Sequence, residues 1–169
     1  MRIWIVVLAV SLMTLGFAPV RDARAQDSGI EIGAKGPPAA VETLDGKPVD
    51  LGQYVGKGPV LIEFWATWCP NCRELEPHLK AVHEKYGNQV KFIGVSVSVN
   101  QSPDRVKAYV AKHGIPGDQL FDRNGKATGA YDVPATSYVV VLDKSGKVVY
   151  TGLGGDQDLE KAIKKAGSY

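Results

Sequence analysis

In Phe64-Trp65-Ala66-Thr67-Trp68-Cys69-Pro70-Asn71-Cys72, a strand pattern gives way to a helix pattern. The apolar run from Pro59 to Trp65 predicts a buried central strand. From Pro70 to Tyr86 the apolar residues recur with helical spacing, and Pro77 inside this helix predicts a kink. The two cysteines therefore lie at the point where a buried strand is followed by a helix.

This position predicts redox chemistry for the cysteines. Cys69 is expected at the N-cap and Pro70 at the first helical position, where a missing N–H is tolerated. The free N–H groups and the helix dipole favour a negative charge there, which lowers the pKa of the Cys69 thiol below about 8.5. Cys72, one turn further on, is expected to be more buried and to attack a mixed disulfide at Cys69. A disulfide between them closes almost no loop, so a purely structural role would stabilise little.

Glu63 interrupts the apolar strand pattern six residues before Cys69. A carboxylate in a buried strand is costly unless it is partnered or protonated, and desolvation raises its pKa. We therefore interpret Glu63 as a proton acceptor for Cys72, beneath the helix. The alternative is a glutamate at a strand edge that points to solvent.

The remaining elements predict a three-layer α/β sandwich with a mixed central sheet. A hairpin is expected around Asp45-Gly46-Lys47, and a final helix is expected to be capped by Asp156. The other predicted elements are strands at Val90–Val99, Leu120-Phe121, Tyr138–Leu142 and Lys147–Thr151, and a helix from Ser102 to about Lys112.

The start of the chain predicts export. An apolar run from Ile3 to Val20 precedes Ala23-Arg24-Ala25, a pattern typical of a secretory signal over residues 1–25, with an uncleaved anchor as the alternative. Residues 26–38 are interpreted as a flexible leader and residues 39–169 as the domain. We expect the domain in the periplasm or another extracytoplasmic compartment, with contact to a membrane only if residues 1–25 stay uncleaved as an anchor.

Composition argues against several other classes of protein. Beyond the predicted signal, basic and acidic residues nearly balance, so nothing favours nucleic acid as a partner. The spacing of His78, His83 and His113 does not suit a tetrahedral zinc site with the cysteines, and we expect surface or packing roles for all three. No metal or cofactor is predicted. A copper-binding assembly factor for a respiratory oxidase remains an alternative, although both methionines, Met1 and Met13, lie in the predicted signal segment.

The chain resembles the thioredoxin superfamily, in its exported TlpA/ResA-like branch. The resemblance rests on the Phe64–Cys72 signature, on Glu63 at the place of the buried acid of thioredoxins, and on Pro77 at the place of their helix-kinking proline. The segment from Ser102 to Asp122 resembles the helix–strand insert of this branch, and Asp143–Lys147 resembles its hairpin turn. The resemblance implies a thioredoxin fold with an N-terminal β-hairpin and a central αβ insert.

The same resemblance implies a thiol–disulfide oxidoreductase that reduces protein disulfides, for example in cytochrome c maturation, with electrons from a membrane reductant. Peroxidases share the fold and are a further alternative, although their Pro-x-x-x-Thr/Ser-x-x-Cys setting is absent around Cys69. The second acid of the ResA type is replaced by Leu75, and the flanking Glu74 and Glu76 are expected to be solvated surface charges.

One departure concerns the loop opposite the cysteines. Where the family carries a cis-proline, the register places Ser137, so Thr136-Ser137 is expected to face Cys69 with a trans bond and a free backbone N–H. The alternative is that Pro134 is the cis-proline. The residues expected to contact the substrate are Trp68, Pro70, Asn71, Pro134, Thr136 and Ser137.

Overall fold

The computed structural model describes residues 29–167, so the predicted signal segment with its Ala23-Arg24-Ala25 site lies outside the described part. Within it, a seven-stranded mixed sheet has the order β2-β1-β5-β4-β3-β6-β7. The strands are β1 (Ala40–Thr43), β2 (Pro48–Asp50), β3 (Val60–Trp65), β4 (Lys91–Val97), β5 (Asp118–Asp122), β6 (Tyr138–Leu142) and β7 (Val148–Leu153). The helices are α1 (Pro70–Tyr86), α2 (Pro103–His113), α3 (Lys126–Ala130) and α4 (Leu159–Lys164).

Strand β3 lies inside the sheet, parallel to β4 and antiparallel to β6. All its residues are buried because apolar clusters cover both faces of the sheet. On one face Leu61 packs with residues of α1 and α4, such as Leu75 and Ile163. On the other face Phe64 packs with Tyr131, which follows α3. The predicted three layers are therefore present, and the C-terminal end of β3 leads directly to the cysteines.

Most predicted elements are confirmed, and α1 has the predicted bounds. The hairpin forms from β1 and β2, and β5 joins it to the central sheet by pairing with both β1 and β4. The pattern did not predict α3, which is short and whose N-terminal Ala127 and Thr128 N–H groups donate to the Asp122 carboxylate. The predicted cap of the last helix is wrong: Asp158, not Asp156, accepts from the Lys161 N–H at 2.9 Å.

Part of the predicted leader lies against the domain. The backbone N–H of Gly33 donates to the carbonyl of Val148 at 2.7 Å, and that of Gly36 donates to Gly146 at 2.9 Å. Lys35 forms an isolated antiparallel bridge with Lys147. In this stretch the backbone is thus hydrogen-bonded alongside the β6–β7 hairpin. Among residues 29–167, no helix has both the length and the apolar character needed to span a bilayer.

Candidate active site

Cys69 and Cys72 form a disulfide at the N-terminus of α1, with their Cα atoms 5.3 Å apart. Cys69 is the N-cap in an extended conformation, and Pro70 occupies the first turn, as predicted. The Cys72 N–H donates to Sγ of Cys69 at 3.1 Å. The first turn carries no acidic residue. A negative charge on the Cys69 sulfur after reduction would therefore lie against the positive end of the helix.

Both cysteines are buried in this disulfide-bonded state. Cys69 is 2% exposed and Cys72 is 3% exposed, so the predicted difference in burial between them is wrong for this state. The reason is that the disulfide sits in an apolar cluster with Trp65, Val106 and Phe121. A partner thiolate can approach the Cys69 sulfur fully only when neighbouring side chains shift.

The segment before Cys69 is held by the loop between β4 and α2. The Thr67 N–H donates to Oε1 of Gln101 at 2.9 Å, and Nε2 of Gln101 donates to the Val97 carbonyl. The indole N–H of Trp68 donates to the Val99 carbonyl at 2.8 Å. Gln101 was not predicted as a site residue, because a polar residue in a loop carries no pattern that reveals its partner.

A cavity of about 510 Å³ opens beside Trp68. Trp68 and Thr136 both line it, so the structure brings these two predicted substrate contacts together. Its other lining residues, which sequence reasoning missed, include Val97, Val99, Val133 and Ala135. Pro134 is exposed but is not among the lining residues, and Pro70 and Asn71 are exposed at the start of α1.

Ser137 immediately precedes β6 and is fully buried. Its N–H donates to the Phe64 carbonyl at 2.8 Å, so the prediction of a free backbone N–H is wrong. Its hydroxyl donates to the Gly154 carbonyl at 2.9 Å, and because the residue is fully buried its side chain is not exposed to a partner protein as predicted. These bonds fix Ser137 at φ 65°, in the left-handed region. No cis peptide bond occurs among residues 29–167, so Pro134 is trans and the cis-Pro134 alternative is wrong.

Glu63 is 5% exposed in the middle of β3. Strand neighbours flank it on both sides, Gly94 from β4 and Val139 from β6, so the alternative of a solvent-facing edge position is wrong. Burial, and secondarily the negative charge of Glu76, raise the pKa of Glu63 to about 8. At neutral pH the protonated form of Glu63 therefore predominates over the carboxylate.

Glu76 is not the solvated surface charge that was expected. Its side chain is 15% exposed, its carboxylate accepts from the Tyr109 hydroxyl, and its Oε2 lies 3.2 Å from Nδ1 of His113. Sequence reasoning missed this because Tyr109 and His113 belong to α2, whose docking on α1 no local pattern reveals. Glu74 is exposed, as expected. In the described part of the chain, no three side chains of the metal-ligating types His, Cys, Asp and Glu converge.

The Redoxin family model matches residues 31–166. The chain belongs to the Redoxin family. This redoxin is 28% identical over 163 residues to the thiol–disulfide oxidoreductase ResA of Bacillus anthracis, covering 95% of this chain and 93% of the relative. It is 26% identical over 161 residues to ResA of Geobacillus thermodenitrificans, with 94% and 91% covered.

Solved structures agree with this assignment. A putative thiol:disulfide interchange protein DsbE from Chlorobium tepidum is 25% identical, with a TM-score of 0.70, over 82% of this chain and 99% of the other. A thiol:disulfide interchange protein from Bacteroides sp., 23% identical with a TM-score of 0.69, shares the fold. The redoxin is thus a TlpA/ResA-like member of the thioredoxin superfamily and an oxidoreductase, with its cysteine pair at the start of α1.

Proposed function

We propose that this redoxin reduces disulfides of partner proteins outside the cytoplasm, using Cys69 and Cys72 as its dithiol. The observation that carries the proposal is the position of Cys69 at the N-cap of α1, with the Cys72 N–H directed at its sulfur. A thiolate is the nucleophile of disulfide exchange, and a helix N-terminus stabilises it.

In the first step the Cys69 thiolate attacks one sulfur of the partner disulfide. A bond forms between the two sulfurs, the partner's S–S bond breaks, and its second sulfur leaves as a thiolate. Trp68 and Thr136 line one cavity, where they can contact the chain that flanks the partner cysteine. Pro70 and Asn71, exposed at the start of α1, can contact the same partner.

In the second step Cys72 releases the partner. Its thiol gives a proton to the carboxylate form of Glu63, and the resulting thiolate attacks the Cys69 sulfur. The mixed disulfide breaks, the partner leaves with its second thiolate, and Cys69 and Cys72 form the disulfide present in this structure. Two electrons have then moved from the redoxin to the partner.

The oxidised redoxin needs a reductant to act again, and we propose a membrane protein that presents a dithiol on the outer side. Export is supported by the signal-like pattern of residues 1–25. The relatives are named as a thiol–disulfide oxidoreductase and a thiol:disulfide interchange protein, which supports protein disulfides as substrates. The resemblance to the exported TlpA/ResA-like branch makes exported cysteine-containing proteins, such as apocytochrome c, the first substrates to test.

The test is capture of the partner with Cys72→Ala. This variant lacks the resolving thiol, so it should accumulate a mixed disulfide through Cys69 that dithiothreitol releases. Cys69→Ala is the matched control, since it keeps one cysteine of the pair but not the nucleophile. Equal capture by both variants, or capture by Cys69→Ala alone, would refute the assigned roles.

A further inference from the structure

The exchange steps leave the largely buried carboxylate of Glu76 unexplained. Glu76 lies four residues after Cys72 on α1, so both side chains project from the same face of the helix. Acidic side chains are seldom withdrawn from solvent unless they are paired. Here the carboxylate is 15% exposed and is turned toward α2.

Helix α2 holds both oxygens of that carboxylate. The Tyr109 hydroxyl donates to Oε1, and Nδ1 of His113 lies 3.2 Å from Oε2. The Tyr109 and His113 rings stack on each other, with centroids 3.9 Å apart and planes 7° from parallel. Lys80 on α1 donates to the His113 carbonyl, which ties the end of α2 to α1. Glu76 is therefore fixed, since it cannot turn toward solvent without breaking these contacts.

Glu76 and its α2 partners lie over the face of the sheet that carries Glu63. The Tyr109 ring packs against that of Trp65, and Trp65 is two residues after Glu63 on β3, so both side chains leave the strand on the same side. The strand neighbours of Glu63 carry no charge. Tyr109, whose ring centroid lies 5.6 Å from that of Trp65, is neutral, because burial and its hydrogen bond to Glu76 raise its pKa. Arg73 on α1 is exposed, and its charge acts on Tyr109. The charge of Glu76 adds to burial in disfavouring the ionised form of Glu63.

We propose that Glu76 is a positioning residue for proton transfer between Cys72 and Glu63, and that α2 fixes its charge in place through Tyr109 and His113. This inference rests on the function proposed above. A clamped negative charge keeps the proton on Glu63 after Cys72 has released it, so the insert helix α2 takes part in setting the pH at which the mixed disulfide is resolved.

The test is a carboxyl ¹³C NMR titration of Glu63 in the oxidised protein, where neither cysteine titrates. Glu63→Gln assigns the resonance. In Glu76→Gln we expect the Glu63 midpoint to move to lower pH by about one pH unit, because a neighbouring like charge is removed. Glu76→Leu, which removes the charge without needing hydrogen bonds, should give the same shift if the amide of the first variant disturbs folding. Glu84→Gln, an exposed change on the same helix, is the matched control and should leave the midpoint unchanged.

The pH profile of mixed-disulfide resolution should move in the same direction in the two Glu76 variants. An unchanged Glu63 midpoint in both variants would overturn the inference, as would an equal shift in Glu84→Gln. The titration needs no partner, so its failure is distinct from failure of the proposed function. If the Glu63 midpoint shifts as expected in the Glu76 variants but Cys72→Ala traps no partner, the proposed function is refuted and the inference about Glu76 is not.

Discussion

Glu63→Gln tests most directly the burial of an ionisable side chain inside β3. Burial and the charge of Glu76 raise the pKa of Glu63 from 4.5 to about 8. A carboxyl group whose pKa is higher in the folded than in the unfolded state favours folding most below its unfolded pKa, and this contribution is lost as the pH rises through the folded pKa. The difference between the two pKa values corresponds to about 5 kcal/mol of folding free energy at high pH.

Most of this loss falls in an accessible pH range. From the same two pKa values, the wild-type protein should lose about 2–3 kcal/mol of stability between pH 5 and pH 7, and about 1 kcal/mol more by pH 9. The amide that Glu63→Gln introduces does not titrate, so its own cost is the same at every pH. The stability of Glu63→Gln relative to wild type should therefore rise by about 2–3 kcal/mol between pH 5 and pH 7.

The assay is urea unfolding of the oxidised proteins at several pH values, which keeps the disulfide intact. Glu84→Gln, with its side chain on the outer part of α1, is the control and should follow the wild-type pH dependence. A stability difference between Glu63→Gln and wild type that stays constant from pH 5 to pH 9 would refute the reasoning. A difference that falls with pH would refute it as well.

Three further predictions address the loops and the redox poise. Gln101→Ala removes the acceptor of the buried Thr67 N–H and should lower the free energy of unfolding in urea by about 1–3 kcal/mol. A change within about 0.5 kcal/mol would contradict a role of Gln101 in holding the segment before Cys69. Ser137→Pro cannot adopt φ 65° or donate to Phe64, so it should lower the free energy of unfolding by about 3 kcal/mol or more, whereas Ser137→Gly, which suits that φ, should lower it by about 1 kcal/mol. Equal stability of the two variants would argue against this conformation. Asn71 brings no positive charge to the Cys69 thiolate, so equilibration with glutathione should give a potential below about −120 mV, the value of a strong DsbA-like oxidant; a value at or above that figure would contradict the reductase assignment.

Local sequence signals predicted the elements that position the site. The N-cap Cys69, the N1 Pro70 and the apolar spacing indicated the bounds of α1, because each of these signals acts within one or two turns. The apolar pattern also predicted the burial of Glu63, because a strand with a continuous apolar sequence is covered on both faces.

The features that were missed or wrong depend on contacts between distant segments. The hydrogen bonds that hold Glu76 come from α2, and the N–H of Ser137 donates to the carbonyl of Phe64 on a neighbouring strand. The burial of Cys69 comes from the apolar cluster around the disulfide. Helix α3 lacks an apolar period and depends on the Asp122 carboxylate for its first turn. No short window of sequence contains these pairings.

The most direct test of the central claim is pH-dependent alkylation of the reduced protein, with each cysteine followed by mass spectrometry. We expect Cys69 to react first, with a midpoint below the ordinary thiol pKa of about 8.5, and Cys72, which does not occupy the N-cap, to react only at higher pH. Cys69→Ser is the control, because Cys72 is then the one thiol left to alkylate. Preferential alkylation of Cys72, or a Cys69 midpoint at or above about 8.5, would contradict a thiolate stabilised at the start of α1.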